Sequence, residues 1–229
     1  IFRKSGSGSV READMLGRIG TIQVSADHFK VAFENYKLAL SIYLSKMGNQ
    51  NSKVSSLYQL VGDAHVAQKQ FQKGLIHYQK AFSSVATGFN DTLHLFSNPT
   101  IQQLDNKPMS LRIARKKAQV FTQAFHHNQK RVDYLKYSLA TYLYAIELID
   151  DIASGYTQES ARAELEKDSR AIYNEGINVA YTLYSKTNDT QFIQDAFLIS
   201  EKSKASILLE NIRDVQAKTL VGVPDSLIE

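Results

Sequence analysis

The amino-acid sequence predicts an all-α protein built from antiparallel helical hairpins. Three observations carry this prediction. Apolar residues recur at the i, i+3, i+4, i+7 spacing of one helix face along most of the chain. A segment that contains two such helices occurs twice, with a period of 42 residues that relates Phe29 to Phe71. The 229 residues include only 3 prolines and 11 glycines, so long helices are allowed.

The repeated segments are residues 4–41 and 46–83, which align without a gap. Their identical pairs are Lys4/Lys46, Gly6/Gly48, Gly20/Gly62, Val24/Val66, Phe29/Phe71, Tyr36/Tyr78, Ala39/Ala81 and Ser41/Ser83. Average composition would produce roughly two or three identities by chance. A fixed period of this length is typical of stacked helical repeats.

Each copy is expected to form two helices joined by a short turn. In the second copy the two apolar stripes are Leu57, Leu60, Val61, Ala64 and then Phe71, Leu75, Tyr78, Phe82. Gly20 and Gly62 share one repeat position inside the first helix, where glycine costs about 1 kcal/mol relative to alanine. We therefore expect close helix packing at that position, with Phe71 and Tyr78 filling the space between hairpins.

The rest of the chain is divided by its turn-forming residues. The expected organisation is two repeats preceded by a truncated helix (1–86), an irregular connection (87–109), two long helical hairpins (110–153 and 154–218) and the start of a linker to a missing C-terminal domain (219–229). The connection holds two of the three prolines. Asp189 or Thr190 is expected to cap the last helix.

The repeat resembles the tetratricopeptide repeat, whose signature is a large residue, Leu-Gly, and then alternating small and aromatic residues. The matching positions are Tyr58, Val61-Gly62, Ala64, Phe71, Gly74, Tyr78, Ala81 and, in the first copy, Leu16, Ile19-Gly20, Ile22, Phe29, Ala32, Tyr36, Ala39. The period of 42 resembles the longer variety found in kinesin light chains. The resemblance implies a right-handed superhelix of hairpins, an α-solenoid.

The end of the sequence resembles the segment that leads into a CHAT domain, a caspase-like peptidase domain carried by bacterial tetratricopeptide proteins. The matching residues are Ala196-Phe197, Glu201, Ser203-Lys204-Ala205, Leu208-Leu209 and Pro224. The peptidase itself needs a His–Cys dyad, and this chain has no cysteine. The resemblance implies that the repeat region regulates or positions a C-terminal peptidase domain.

The tetratricopeptide resemblance also implies a peptide groove, because the first helix of each repeat lines a concave surface in that family. Carried over by register, the groove residues are Asp14, Thr21, Ser25, Ser56, Gln59, Asp63 and Lys117. Ile113 and Phe121 are expected beside Lys117. The set lacks the Lys/Asn/Arg clamp that holds a peptide carboxylate in some relatives.

Catalysis and metal binding are not expected from this sequence. The absence of cysteine excludes a thiolate nucleophile and a cysteine-type zinc site in this chain. His126 and His127 are adjacent on a helix and point about 100° apart, so they do not chelate as an i, i+4 pair does. The sequence therefore predicts no enzyme activity, no cofactor and no metal.

A nucleic-acid surface is the weaker alternative for the basic residues. They are Arg112, Arg115, Lys116, Lys130 and Arg131. Aromatic residues are not interleaved with them, and the net charge of +4 is small. Because residues 147–151 place acids at the end of the partner helix, we expect Arg112 or Arg115 to form ion pairs there.

The function expected from the sequence is that of a non-enzymatic scaffold that binds a protein or peptide partner. The competing interpretation is a structural spacer or self-association module without a dedicated ligand. No apolar run reaches the roughly 18–20 residues of a membrane-spanning helix, so no membrane role is expected. A cytoplasmic location is favoured, although the sequence starts at Ile1 and its true N-terminus is expected to be missing.

Overall fold

The structure is a computed structural model that describes residues 8–92, 94–128, 131–155 and 159–220. The truncated helix expected at residues 1–4 and most of the expected linker at 219–229 lie outside these residues. All regular structure in the described part is helical apart from one isolated β-bridge, which confirms the all-α prediction.

The helices pack as sequential pairs within two compact units, residues 1–152 and 153–229. They are α1 (Val10–Ser25), α2 (Phe29–Met47), α3 (Ser52–Ala67), α4 (Phe71–Ser83), α5 (Lys107–His127), α6 (Asp133–Gly155), α7 (Glu159–Thr187) and α8 (Gln191–Leu220). A short 3₁₀ helix spans Ile101–Gln103.

The two hairpins α1–α2 and α3–α4 repeat each other in detail. The turn residues Asp27 and Lys69, 42 positions apart, both adopt φ of 59°. Each turn is closed by a histidine–glutamine hydrogen bond, between Gln23 and His28 (2.9 Å) in the first copy and between His65 and Gln70 (3.0 Å) in the second. The two residue types have exchanged positions between the copies, yet the contact is kept. The turn geometry therefore belongs to the repeat.

The repeated glycines seat the repeated tyrosines. Tyr36 and Tyr78 are each 2% exposed and lie against the glycine of the partner helix. A Cβ atom on Gly20 would stand 2.7 Å from Cδ1 of Tyr36, and one on Gly62 would stand 3.2 Å from Cζ of Tyr78. The expected close packing is thus a glycine-to-ring contact. Tyr78 was expected between hairpins, but it packs inside its own hairpin, against α3.

Aromatic rings fill the boundary between the two repeats. Phe33 of α2 stacks on His65 at 4.5 Å between ring centroids, and His65 stacks on His77 at 5.2 Å. Burial lowers the pKa of His77 to about 4, with further contributions from Lys80 and His65. Phe71, which was expected to fill the space between hairpins, is only half-buried and lies beside His127.

The irregular connection follows α4 and ends at Asn106. Its backbone forms few of the hydrogen bonds that are typical of β-sheets. Ala86 and Leu104 form an isolated antiparallel bridge, and the Thr87 hydroxyl donates to the Asp105 carboxylate at 2.9 Å. α5 begins at Lys107 rather than Ser110, because the Asn106 side chain accepts from the Met109 N–H and caps the helix.

The α5 and α6 helices run antiparallel within the first unit. Lys107 at the start of α5 pairs with Asp151 near the end of α6, at 2.5 Å. Further along α5, the Ser138 hydroxyl donates to the Ala118 carbonyl at 2.9 Å. Asp151, near the end of α6, thus receives a cation from the start of α5, and this cation is Lys107. Ion pairs of Arg112 or Arg115 with the acids at residues 147–151 stay a prediction.

The second unit contains the hairpin of α7 and α8. Asn188 adopts φ of 56° in the turn, and the Asp189 side chain accepts a hydrogen bond from the Gln191 N–H at 3.0 Å. Of the two expected caps, Asp189 therefore serves α8. Ile172, Leu183 and Ile199 are buried in this unit.

Candidate functional site

The first helices of the three hairpins in the first unit lie side by side. α3 contacts both α1 and α5. Two ion pairs bridge these contacts, Lys53 to Asp14 at 2.6 Å and Lys116 to Asp63 at 2.5 Å. We call the surface defined by these four residues the first-helix face.

Asp14 is held by two donors from different helices. The hydroxyl of Tyr43, on α2, donates to Oδ1 at 2.5 Å, and Lys53 Nζ reaches both carboxylate oxygens, at 2.6 and 2.8 Å. The hydrogen bond from Lys53, followed by that from Tyr43, lowers the pKa of Asp14. Burial and the nearby carboxylate raise the pKa of Tyr43, which stays a donor. The carboxylate is therefore ionised and fixed in orientation.

Asp63 has the same kind of surroundings one hairpin later. It accepts a hydrogen bond from the hydroxyl of Tyr78, on α4, and pairs with Lys116 of α5. Its equivalent in the first repeat is Thr21, whose hydroxyl lies 3.3 Å from the Tyr36 hydroxyl. The repeat thus preserves a helix-to-tyrosine hydrogen bond, and Asp63 adds a charge to it.

Five of the seven predicted groove residues are accessible on α1 and α3. Asp14, Ser56 and Asp63 are half-buried, whereas Thr21 and Ser25 are exposed. Ser25 Oγ donates to the Thr21 carbonyl at 3.3 Å within its own helix. The structure places Asp14 and Asp63 in two clusters of the same composition, each with a lysine and a tyrosine, at different positions of the repeat.

The other two predicted groove residues do not line an open surface. Gln59 is 7% exposed and Lys117 is 0% exposed, and both predictions are corrected here. Ile113 and Phe121, expected beside Lys117, are buried as well. Lys117 is buried because this side of α5 packs against α4 and the irregular connection. Gln59 is buried because α3 lies among α1, α2, α4 and α5 and contacts all four.

Lys117 instead forms hydrogen bonds with the irregular connection. Its Nζ donates to Gln79 Oε1 at 2.8 Å, to the Ser97 carbonyl at 2.5 Å and to Asn98 Oδ1 at 3.0 Å. Gln79 in turn donates to the carbonyls of Asp91 and His94, at 2.9 and 3.0 Å. Two side chains thus supply backbone hydrogen bonds that a strand or helix would otherwise provide.

Burial lowers the pKa of Lys117 to about 7, while Asp91 acts in the opposite direction. The three acceptors match the three N–H donors of an ammonium group, so the geometry fits the charged form. The Lys117 Nζ also lies 5.7 Å from the Phe82 ring centroid. This cluster stabilises the fold and is closed to ligands.

Sequence reasoning missed the partners of Asp14 and Asp63, which are Lys53, Lys116, Tyr43 and Tyr78. Lys116 had been assigned only to a basic patch, and Tyr78 only to packing. A signal was present for Tyr78, because its equivalent Tyr36 recurs at the same repeat position. Lys53 and Tyr43 carry no local signal, since they reach Asp14 only through the packing of three helices.

A metal site and a membrane-spanning helix are both absent from the part of the chain that the structure describes. Among those residues, no group of three or more His, Cys, Asp or Glu side chains is placed to hold a metal ion. None of the described helices combines the length and apolar character needed to cross a bilayer.

No protein-family model matches this chain, and no curated protein matches it either. The functional proposal therefore rests on the residues and geometry of the chain.

Proposed function

We propose that this chain is a protein-interaction scaffold of the tetratricopeptide type, and that its first-helix face receives an extended peptide segment of a partner. The single observation that supports the proposal is the recurrence of a carboxylate, lysine and tyrosine cluster at the α1–α3 and α3–α5 contacts. Asp14 and Asp63 are the carboxylates of these clusters.

The clusters suit recognition because their charges are accessible yet already oriented. The Asp14, Lys53, Asp63 and Lys116 side chains are 36–43% exposed. Tyrosine hydroxyls hold the carboxylates from the second helices, so little side-chain freedom remains to be lost on binding. Both charge signs occur in each cluster, which favours a peptide that carries both acidic and basic side chains.

Peptide selection on the full chain tests the proposal. Displayed random peptides would be selected against the immobilised protein, and the recovered peptides would be titrated against the double variant Asp63→Asn/Lys116→Ala. We expect at least tenfold weaker binding, since a charge-assisted contact is worth about 1.5–3 kcal/mol. The matched control is Glu34→Gln/Lys37→Ala, on the exposed side of α2.

Retention of full affinity by the first-helix variant, or equal loss in the α2 control, would contradict the peptide-groove proposal. Failure to recover any peptide after selection would also count against it. Circular dichroism of each variant shows whether the fold is kept before binding is compared. We propose no catalytic activity for the chain, and peptidase turnover proportional to its concentration would refute that.

The finer parts of the proposal rest on the sequence resemblance. They are a right-handed solenoid arrangement of the hairpins and the regulation or positioning of a C-terminal CHAT peptidase domain. The resemblance that suggests the peptidase covers residues 195–229. Sequencing the gene downstream of the Glu229 codon tests it, because the proposal requires a histidine and a cysteine in a caspase-like context there.

Self-association is a second candidate, favoured by exposed apolar residues on α1. Met15 and Ile22 are 63% and 65% exposed, and Ile19, between them on the helix, is 39% exposed. Exposed apolar side chains at this spacing are typical of contact surfaces. Sedimentation of the wild type and of Met15→Lys/Ile22→Lys over a dilution series separates the candidates. A dimer that the variant abolishes would favour self-association.

A further inference from the structure

A second site is formed where the α3–α4 turn faces the end of α5 and the start of α6. There a cleft of about 490 Å³ opens to solvent. The side chains that carry the argument are Lys69, Phe71, Lys73, His127, Arg131 and Tyr134. The volume lies within the range of about 300–1,000 Å³ that is usual for small-molecule sites.

The charge of this cleft has one sign. Lys69, Lys73 and Arg131 contribute cations, and no aspartate or glutamate is among the lining residues. Among the described residues, none of these three cations has a carboxylate within ion-pair distance. Their field therefore attracts an anion from solution.

The cleft also offers aromatic surfaces beside the cations. The Arg131 guanidinium lies 4.8 Å from the centroid of the Tyr134 ring, and the Phe71 ring lies 5.5 Å from that of His127. Phe71 and Tyr134 are both half-buried, so neither residue is closed off from solvent. A planar group can stack on such rings while an attached anion contacts the cations.

The first repeat shows that the fold does not require these cations. The residues equivalent to Lys69 and Lys73 are Asp27 and Val31. Asp27 and Lys69 adopt the same backbone conformation, with φ of 59°. The repeat geometry therefore accepts an acid and an aliphatic residue at these positions. The positive charge is particular to the cleft of the second repeat.

We propose that this cleft binds a nucleoside phosphate. The phosphoryl group contacts Lys69, Lys73 and Arg131, and the base stacks against Tyr134 and Phe71. A small ligand fits a cleft of about 490 Å³, and two or three negative charges match the three cations. The residues of this site are not those of the first-helix face. The nucleoside-phosphate proposal can therefore be tested independently of the scaffold proposal.

Calorimetric titration of the full chain tests the proposal, with ADP, pyrophosphate and adenosine as the three probes. ADP should bind more tightly than either of the others, because only ADP uses both the cations and the rings. The decisive variant is Lys69→Asp/Lys73→Val, which copies the residues of the first repeat. We expect it to weaken ADP binding at least tenfold.

Two further variants test the effect of net charge and the contribution of the tyrosine ring. Lys30→Asp/Lys37→Val makes the same change in net charge on exposed positions of α2, and ADP affinity should stay within twofold of wild type. Tyr134→Leu should weaken ADP binding severalfold and leave pyrophosphate binding unchanged. Circular dichroism confirms that every variant is folded.

Several results would overturn the assignment. One is the absence of ADP binding at millimolar concentration, and another is ADP binding that is no tighter than that of pyrophosphate. Equal affinity of the wild type and Lys69→Asp/Lys73→Val would place the ligand elsewhere. Binding of a single-stranded oligonucleotide without binding of ADP would replace the proposal with a nucleic-acid surface.

Discussion

The buried Lys117 makes the stability of this protein depend on pH in a direction that can be worked out. Its pKa is about 7 in the folded chain against an ordinary value of 10.5. Between these values the unfolded chain binds one proton more than the folded chain, so the free energy of unfolding rises with pH. From about pH 7 to about pH 9 the gain is about 2 kcal/mol, from the titration of one group.

Replacing Lys117 by methionine removes the rise in stability between pH 7 and pH 9. It also removes the hydrogen bonds that the lysine donates to Gln79, Ser97 and Asn98. At about pH 9 the uncharged amine of the wild type still donates two N–H groups, which methionine cannot replace. Gln79 is 0% exposed, so its oxygen is then left without a donor. We expect Lys117→Met to be less stable than the wild type by about 3 kcal/mol at pH 9, at roughly 1–2 kcal/mol per lost bond. At pH 7 the deficit should shrink to about 1 kcal/mol.

Urea unfolding followed by far-ultraviolet circular dichroism measures both effects. The neighbouring variant Lys116→Met is the matched control, because its partner Asp63 is half-exposed and such pairs contribute less than about 1 kcal/mol. The control should keep the pH dependence of the wild type. A Lys117→Met variant with the same rise in stability between pH 7 and 9 as the wild type would refute the assignment of the titration to Lys117.

Three further predictions concern single positions. Gly20→Ala should destabilise the protein by about 1–3 kcal/mol in thermal unfolding, because the added methyl group meets the buried ring of Tyr36. Gly17→Ala on the same helix meets nothing closer than 3.8 Å and should be neutral or stabilising, and equal costs would contradict the glycine-to-ring account. His77, with its pKa lowered to about 4, contributes stability that is present above its unfolded pKa of 6.5 and is lost as pH falls towards 4. His77→Phe should therefore lose less stability than the wild type over that interval, and parallel acid-unfolding curves would sink this explanation. Asp189→Ala should cost about 1 kcal/mol in thermal unfolding through the lost cap of α8, whereas no change in the unfolding temperature would show that the cap contributes nothing.

Local physics explains why the helices and the repeat could be predicted from the sequence. The spacing of apolar residues identifies the buried face of a helix. Gly20 and Gly62 indicate close packing of two helices, because a glycine inside a helix destabilises it unless a small residue is required there. The repeat and the close approach at Gly20 and Gly62 follow from signals that lie within 42 residues of each other. The start of α5 at Lys107 and the place of Tyr78 inside its own hairpin were not predicted.

The tertiary structure decided the surroundings of the charged residues. Lys117 looked like a groove residue because register alone placed it on the first helix of a hairpin, and only the fold shows the irregular connection covering it. Lys53 reaches Asp14, and Arg131 lies in the same cleft as Lys69, across distances in sequence that no local pattern encodes. A helix face is set by neighbouring residues, whereas burial and charge pairing depend on which distant segment packs against that face.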